Sequence, residues 1–155
     1  MKTYKSFGEL ARKLQDCTKN LEITIGAAME ESAVIVEVAA KEEIGHYQRE
    51  NMGDERGRWE DWAELKDSTK ADRLRSGYTE NDPLERSGEM RDSIQHVALP
   101  KSFAVGSSSQ ILLWQELGTE HIQPRSVLAL SLFRNTKIIL SIIGKTIEKT
   151  LAGEK

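Results

Sequence analysis

The sequence predicts an α+β fold: a long N-terminal helix, a small antiparallel β-sheet with short helices, and a C-terminal helix. Three observations predict it. Apolar residues recur at helical spacing from Leu10 to Ile44. The period changes to two between Ile94 and Leu99, with a turn and a returning run behind it. From Leu132 to Leu151 the chain then reads as one further helix, dense in isoleucine and leucine.

The first helix has a start signal. Ser6-Phe7-Gly8-Glu9 fits a capping box, in which Ser6 bonds the backbone three residues on and Glu9 reaches back. Leu10, Leu14, Cys17 and Leu21 follow at spacings of four, three and four, which makes Cys17 a small shielded residue of the stripe rather than a nucleophile. Ile25, Ala28, Met29, Ile35, Val36, Ala39, Ala40 and Ile44 extend the apolar face, and Glu37 and Lys41 are placed to pair across one turn. Gly26 is a candidate break between two helices and Gly45 a helix stop. A helix this long exceeds the globular average, so part of it is expected to pack on a neighbouring copy.

The stretch from Arg49 to Arg58 is polar and glycine-containing, and reads as a mobile loop. Trp59, Trp62 and Leu65 then recur every three residues and should anchor the chain on the core. Asp67 or Ser68 would cap a short helix through Arg75, with Gly77 as its stop. A second mobile loop is expected at 77–83. Ser87 would cap another short helix that turns Met90 and Ile94 inward. Ile94 to Leu99 alternates as a strand does, Leu99 to Ser102 is the turn, and Phe103 to Gly106 the returning strand. Ile111 to Leu117 ends at Gly118 and reads as a helix, with a strand as the other option; Ser126 to Leu130 fits either. In the last helix Ile138, Ile139, Leu140, Ile142 and Ile143 cover almost the whole circumference, and a helix apolar all round needs cover on more than one side. Another subunit is a natural supplier.

Size and composition bound the function. A chain of 155 residues is near the commonest size of one domain, so 1–155 is expected to be a single domain. The 22 Lys and Arg against 25 Asp and Glu, a net charge of −3, argue against nucleic-acid binding as the main task. The charge is uneven: 11 acids face 4 bases from Glu22 to Asp61, whereas 6 bases face 2 acids from Pro124 onward. Two solvated faces account for this; so do copies set head to tail, acidic face against basic face. Cys17 is the only cysteine, so no internal disulfide forms, which suits a reducing cytoplasm. No apolar signal segment follows Met1 to Lys5, and the apolar run Ile138 to Ile143 is too short for a bilayer. The expectation is a soluble protein with no membrane association.

A catalytic set is not found. His46, His96 and His121 lack a second His or Cys at metal spacing, so no metal is expected. His96, in the strand, and His121, in a loop, read as ordinary edge residues. No glycine-flanked nucleophile elbow occurs, and Gly106-Ser107-Ser108-Ser109-Gln110 lacks the lysine of a phosphate loop, leaving a flexible turn. Glu85, Glu89 and Asp92 lie beside Arg86 and Arg91 and read as surface ion pairs. No enzyme activity and no cofactor are expected.

The motifs add up in another direction. Trp62-x-x-Leu65-x-x-x-Thr69-Lys70 is followed by Pro83-Leu84-x-x-Ser87-Gly88-Glu89-Met90-x-x-Ser93-Ile94. Val105-Gly106-Ser107, Gln115-Glu116-Leu117-Gly118-Thr119 and Pro124-Arg125 then precede an apolar segment. In this order they resemble the neck and tail-completion proteins of tailed phages: the tail-component proteins of lambda-like siphophages and the virion-morphogenesis proteins of Mu-like phages. The likeness covers about residues 25–135. The family has an aromatic after the Pro-Arg pair, where this chain has Ser126-Val127-Leu128. The resemblance implies a phage or prophage virion protein, assembled in the host cytoplasm, that forms a homo-oligomeric ring around the DNA channel. Its implied partners are a connector, tail-terminator or tail-tube protein, with DNA only as passing cargo; a near-neutral or acidic wall would let the phosphates slide past.

Glu116, Thr119 and Arg125 are the docking candidates at the Gly118 corner, and Arg125 is expected to pair with a carboxylate of its own chain or a neighbour's. Ile138, Ile139, Ile142 and Ile143 are the interface candidates on the last helix. The alternative is a nucleic-acid-binding regulator, for which Lys70, Arg73 and Arg75 offer the only modest basic cluster, offset by Asp67 and Asp72.

Overall fold

A computed structural model describes residues 5–48 and 61–153. The loop expected at 49–58 and the anchor Trp59 lie outside them. The order of elements is α1 (Phe7–Glu43), α2 (Asp67–Arg75), α3 (Glu89–Asp92), β1 (Ile94–Leu99), β2 (Ser102–Ser107), α4 (Gln110–Leu117) and α5 (Leu128–Ala152). The two strands pair as an antiparallel hairpin about the Pro100-Lys101 turn. This is the α+β architecture read from the sequence.

α1 starts as its cap signal requires: the Glu9 amide donates to Ser6 Oγ at 3.2 Å, and Glu9 Oε2 accepts from the Lys5 amide at 2.9 Å. It runs unbroken for 37 residues, so Gly26 is not a helix break. A glycine in a helix interior costs only about 1 kcal/mol against alanine, which the good helix formers around it outweigh. Gly26 instead faces the hairpin turn, where a Cβ would stand 3.9 Å from Pro100 Cα. The helix ends before Gly45, whose φ of 95° suits glycine alone.

The chain divides into two compact units, Met1–Val34 with Val97–Ala104 and Thr136–Lys155, and Ile35–His96 with Val105–Asn135. In the first, Ala28, Met29, Ala33 and Ile139 are the buried apolar residues. The Thr24 and Thr150 hydroxyls meet at 3.0 Å and tie α1 to α5. Much apolar surface stays open: Ile23 is 72% exposed and Leu140 and Leu151 are each 64% exposed. Cys17 and Leu21 are half-buried and Leu14 is exposed, so the N-terminal stripe is less shielded than its spacing suggests.

The second unit holds the main core. Ala40 of α1, Ile44 just after it, Trp62, Ile94, Leu112 and Val127 form one buried cluster, with Tyr47, Leu84, Met90, Val105 and Leu128 packed on it. The backbone around it is tied by named bonds. The Trp62 amide donates to Gln48 O at 3.1 Å, the Leu65 amide to Tyr47 Oη at 3.0 Å, and the Gly45 amide to Pro83 O at 2.9 Å. Residues 77–83, expected as a mobile loop, carry several bonds to the rest of this unit. Arg73 is buried and donates through Nε to Thr79 O at 2.7 Å and through Nη2 to Thr79 Oγ1 and Glu85 O, while Tyr47 Oη donates to Asn81 Oδ1 at 2.6 Å. The helix at 89–92 is preceded by Gly88 in the left-handed region, with φ 84° and no side-chain cap, so Ser87 is not its cap. Lys66, not Asp67 or Ser68, precedes α2, again with no side-chain cap.

His96 is not a bare edge residue. Its Nδ1 meets Glu37 Oε2, and Glu37 also accepts from Lys41 Nζ at 2.5 Å, so α1 and β1 share a half-buried cluster of three titratable side chains. The bonds from Lys41 and then His96 hold the Glu37 carboxyl below its ordinary value. A depressed carboxyl contributes stability above its unfolded-state value and loses it as pH falls through the folded-state value. Acid melting of the native chain should therefore steepen below the ordinary glutamate range. Glu37→Gln should flatten that slope; equal Tm-against-pH curves for the two proteins would refute the role of this cluster.

Candidate functional site

α4 and the turn after it make the most exposed apolar feature of the second unit. The helix is set from its N-terminus. Ser109 Oγ accepts from the Leu112 amide at 3.4 Å, and Ser107 Oγ accepts from the Ser109 amide at 2.9 Å and meets Ser93 Oγ at 2.6 Å. The serine run expected as a flexible turn is thus a bonded cap. Leu112 alone is buried. Ile111, Leu113, Trp114 and Leu117 point outward at 57%, 49%, 47% and 71% exposure. Spacings of three and four make neighbours of Ile111 and Trp114, Trp114 and Leu117, and Leu113 and Leu117. This eight-residue helix thus buries one large apolar side chain and leaves four on its surface.

The C-terminal end is locked as firmly. Gly118 sits at φ 74°, and a Cβ there would stand 3.0 Å from both Ile122 O and Pro124 Cδ. No other residue fits such a turn. Thr119 closes it: its amide donates to Ile122 O at 2.9 Å, and its Oγ1 accepts from the Ile122 amide at 3.1 Å. The Arg125 amide then donates to Gln115 O at 2.6 Å.

Glu116, expected at an interface, spends both oxygens inside the chain. Oε1 accepts from Ser126 Oγ at 2.6 Å and the Ala129 amide at 3.0 Å; Oε2 accepts from the Val127 and Leu128 amides at 2.7 and 2.9 Å. Those amides are the donors left open where α5 starts, and the carboxylate lies at the positive end of that helix. α4 therefore caps α5 with a side chain supplied from a distance. No local signal announces this, because the pair is separated by a ten-residue turn.

Arg125 does not find a carboxylate among the described residues. Nη2 donates to Ala63 O at 2.9 Å, Nη1 reaches Gln115 Oε1 at 3.5 Å, and Nε is buried without an acceptor. Burial lowers the guanidinium from its ordinary value, the direction expected for a desolvated cation. Arg125 borders a groove of about 1040 Å³, whose walls include Lys66, Arg73, Arg86, Glu89 and Ile111.

Glu116, Thr119 and Arg125 are thus brought to one corner. Ile138, Ile139, Ile142 and Ile143 belong to the other unit. There Ile139 is buried, Ile142 and Ile143 are half-buried and Ile138 is 51% exposed, so α5 is covered on one side within the chain. The cluster Lys70, Arg73, Arg75 is spent locally: Lys70 pairs with Glu64 at 3.5 Å, Arg75 with Asp72 at 4.0 Å, and Arg73 is buried. Arg91 pairs with Glu85 as expected, whereas Arg86 pairs with Asp72 at 3.2 Å and lies 5.1 Å from the centre of the Tyr78 ring. Among the described residues no three His, Cys, Asp or Glu side chains converge to hold a metal ion, and no helix is long and apolar enough to cross a membrane. Sequence reasoning missed Arg73 as the organiser of the 77–85 segment, since its helix carries no clear apolar face.

Comparison with protein-family models, curated proteins and solved structures returns no match for this chain.

Proposed function

We propose that this chain is a structural virion subunit of a tailed phage or prophage, which forms an oligomeric ring at the head–tail junction or the head-proximal end of the tail. The order of motifs from Trp62 to Arg125 supports that reading. One structural observation carries it: α4 holds Ile111, Leu113, Trp114 and Leu117 outward on a helix fixed at both ends. A rigid, uncovered apolar face is what a subunit offers a neighbour, because it binds without first being ordered. The open Ile23, Leu140 and Leu151 of the other unit supply further surface for heterologous contacts.

The purified chain should form one discrete oligomer by light scattering and native mass spectrometry, alone or on mixing with a connector or tail-tube protein. Trp114→Ser should dissociate it. Trp114 is half open, so that substitution should cost the isolated chain about 1–2 kcal/mol, too little to unfold it. A strictly monomeric protein that binds no virion component would end this reading.

A further inference from the structure

We infer that the groove beside Arg125 is a carboxylate-binding site, and that its occupant is α1 of a second copy of this chain, through the exposed Glu31 and Glu42. The inference rests on the ring reading and names the contact that would join one subunit to the next.

Two guanidinium groups line this groove without a carboxylate partner among the described residues. Arg73 is buried and meets only Thr79 and Glu85 oxygens of backbone and hydroxyl type. Arg125 meets a backbone carbonyl and an amide oxygen, and its buried Nε meets nothing. Arg73 is buried and Arg125 half-buried; a cation drawn even partly out of water and given only neutral acceptors is costly, and an anion brought to it recovers that cost. Lys66 and Arg86 stand on the same walls, against Glu64 and Glu89, and Glu64 already pairs with Lys70. The groove therefore carries an excess of positive charge.

Its apolar walls, including Ile111, Leu84 and Met90, suit a protein segment better than a phosphate chain. The chain itself provides the complementary charge: from Glu22 to Asp61 it has 11 acids and 4 bases. On α1, Glu37 and Glu43 are already paired with Lys41 and Arg134, whereas Glu31 and Glu42 are exposed. A cationic groove on one part of the surface and free carboxylates on a helix make a head-to-tail contact, which closes into a ring if its rotation closes.

The test uses two full-length variants, Arg125→Gln and the double substitution Glu31→Gln, Glu42→Gln. Each removes one side of the junction and leaves the other intact. By sedimentation velocity each alone should be monomeric, with the junction's Kd raised about thirtyfold or more, and each should keep the far-ultraviolet circular dichroism of a folded chain. Mixed one to one, they should form a heterodimer and nothing larger, since only one junction can be made. If Arg125→Gln fails to fold, Arg125→Met, which keeps the aliphatic stem and removes the charge, takes its place and decides in the same way.

Assembly of Arg125→Gln equal to the native chain overturns the assignment and leaves the ring reading standing. So does a mixture of the two folded variants that stays monomeric. A short DNA duplex bound by the native chain and lost in Arg125→Gln would show that the anion is phosphate, and overturns it as well. A native chain that is monomeric with and without virion partners removes both the ring reading and this contact.

Discussion

Replacing Trp62 by alanine should lower the unfolding free energy by about 3–5 kcal/mol, the cost of emptying a large aromatic site in a core that cannot fully collapse. Trp62 is 6% exposed and shares its cluster with Ala40, Ile44, Ile94, Leu112 and Val127. Those neighbours come from α1, β1, α4 and the segment before α5, so one indole joins most of the second unit. Its backbone is fixed too, with the Trp62 amide donating to Gln48 O at 3.1 Å. Relaxation into the void would have to move several elements at once, which keeps the loss at the upper end of the range for large-to-small substitutions. Urea unfolding of the native chain and Trp62→Ala measures it. A loss below about 1 kcal/mol would make Trp62 a surface anchor, not a core residue. Trp62→Phe fills most of the site and should cost far less.

The second large effect belongs to Glu116. Glu116→Ala should cost about 2–3 kcal/mol, because it removes a charged cap and leaves the amides of the buried Val127 and the half-buried Leu128 without an acceptor. Val127 is fully buried, so water cannot easily replace the bond its amide loses. Glu116→Gln keeps one carboxamide oxygen and turns an amino group toward the remaining donors, so it should restore only part of the loss. Hydrogen exchange at residues 127–129 reads the effect directly: protection there should fall in Glu116→Ala before it falls elsewhere. If Glu116 acted only between subunits, the isolated variant would melt like the native chain, and the capping role would be refuted. The result also separates two roles within one motif. Glu116 holds the corner together, while the neighbouring Trp114 and Leu117 are left on its surface.

The elements were largely legible in the sequence. The Ser6 and Glu9 pair marked the start of α1 and Gly45 its end, because a cap and a left-handed glycine act within one turn of the chain. Alternation from Ile94 announced β1, and its burial follows the alternation, with Ile94 buried and Val97 and Leu99 exposed. Gly118 marked the end of α4 for the same local reason. Of the site, the residues Glu116, Thr119 and Arg125 were visible as a corner, but their tasks were not. Glu116 read as a docking acid, and within the chain it caps α5; Arg125, expected to meet a carboxylate of its own chain or a neighbour's, meets neutral oxygens among the described residues.

Three readings that the structure corrects share one origin. Gly26 was read as a break because its effect on a helix is local, yet the helix continues past it and the hairpin turn lies against it. His96 read as an edge residue because its partner Glu37 is 59 positions away. Arg73 read as part of a basic surface because nothing nearby in sequence reveals that residues 79 to 85 fold over it. By itself, then, the sequence determined which segments are helix or strand and where most of them stop, since periodicity, caps and positive-φ glycines act over a few residues. Only the tertiary structure decided which charges are buried, which carboxylate caps which helix and which apolar residues stay open. Those outcomes depend on groups far apart along the chain, and burial and hydrogen bonding are settled only once the path of the chain brings them together.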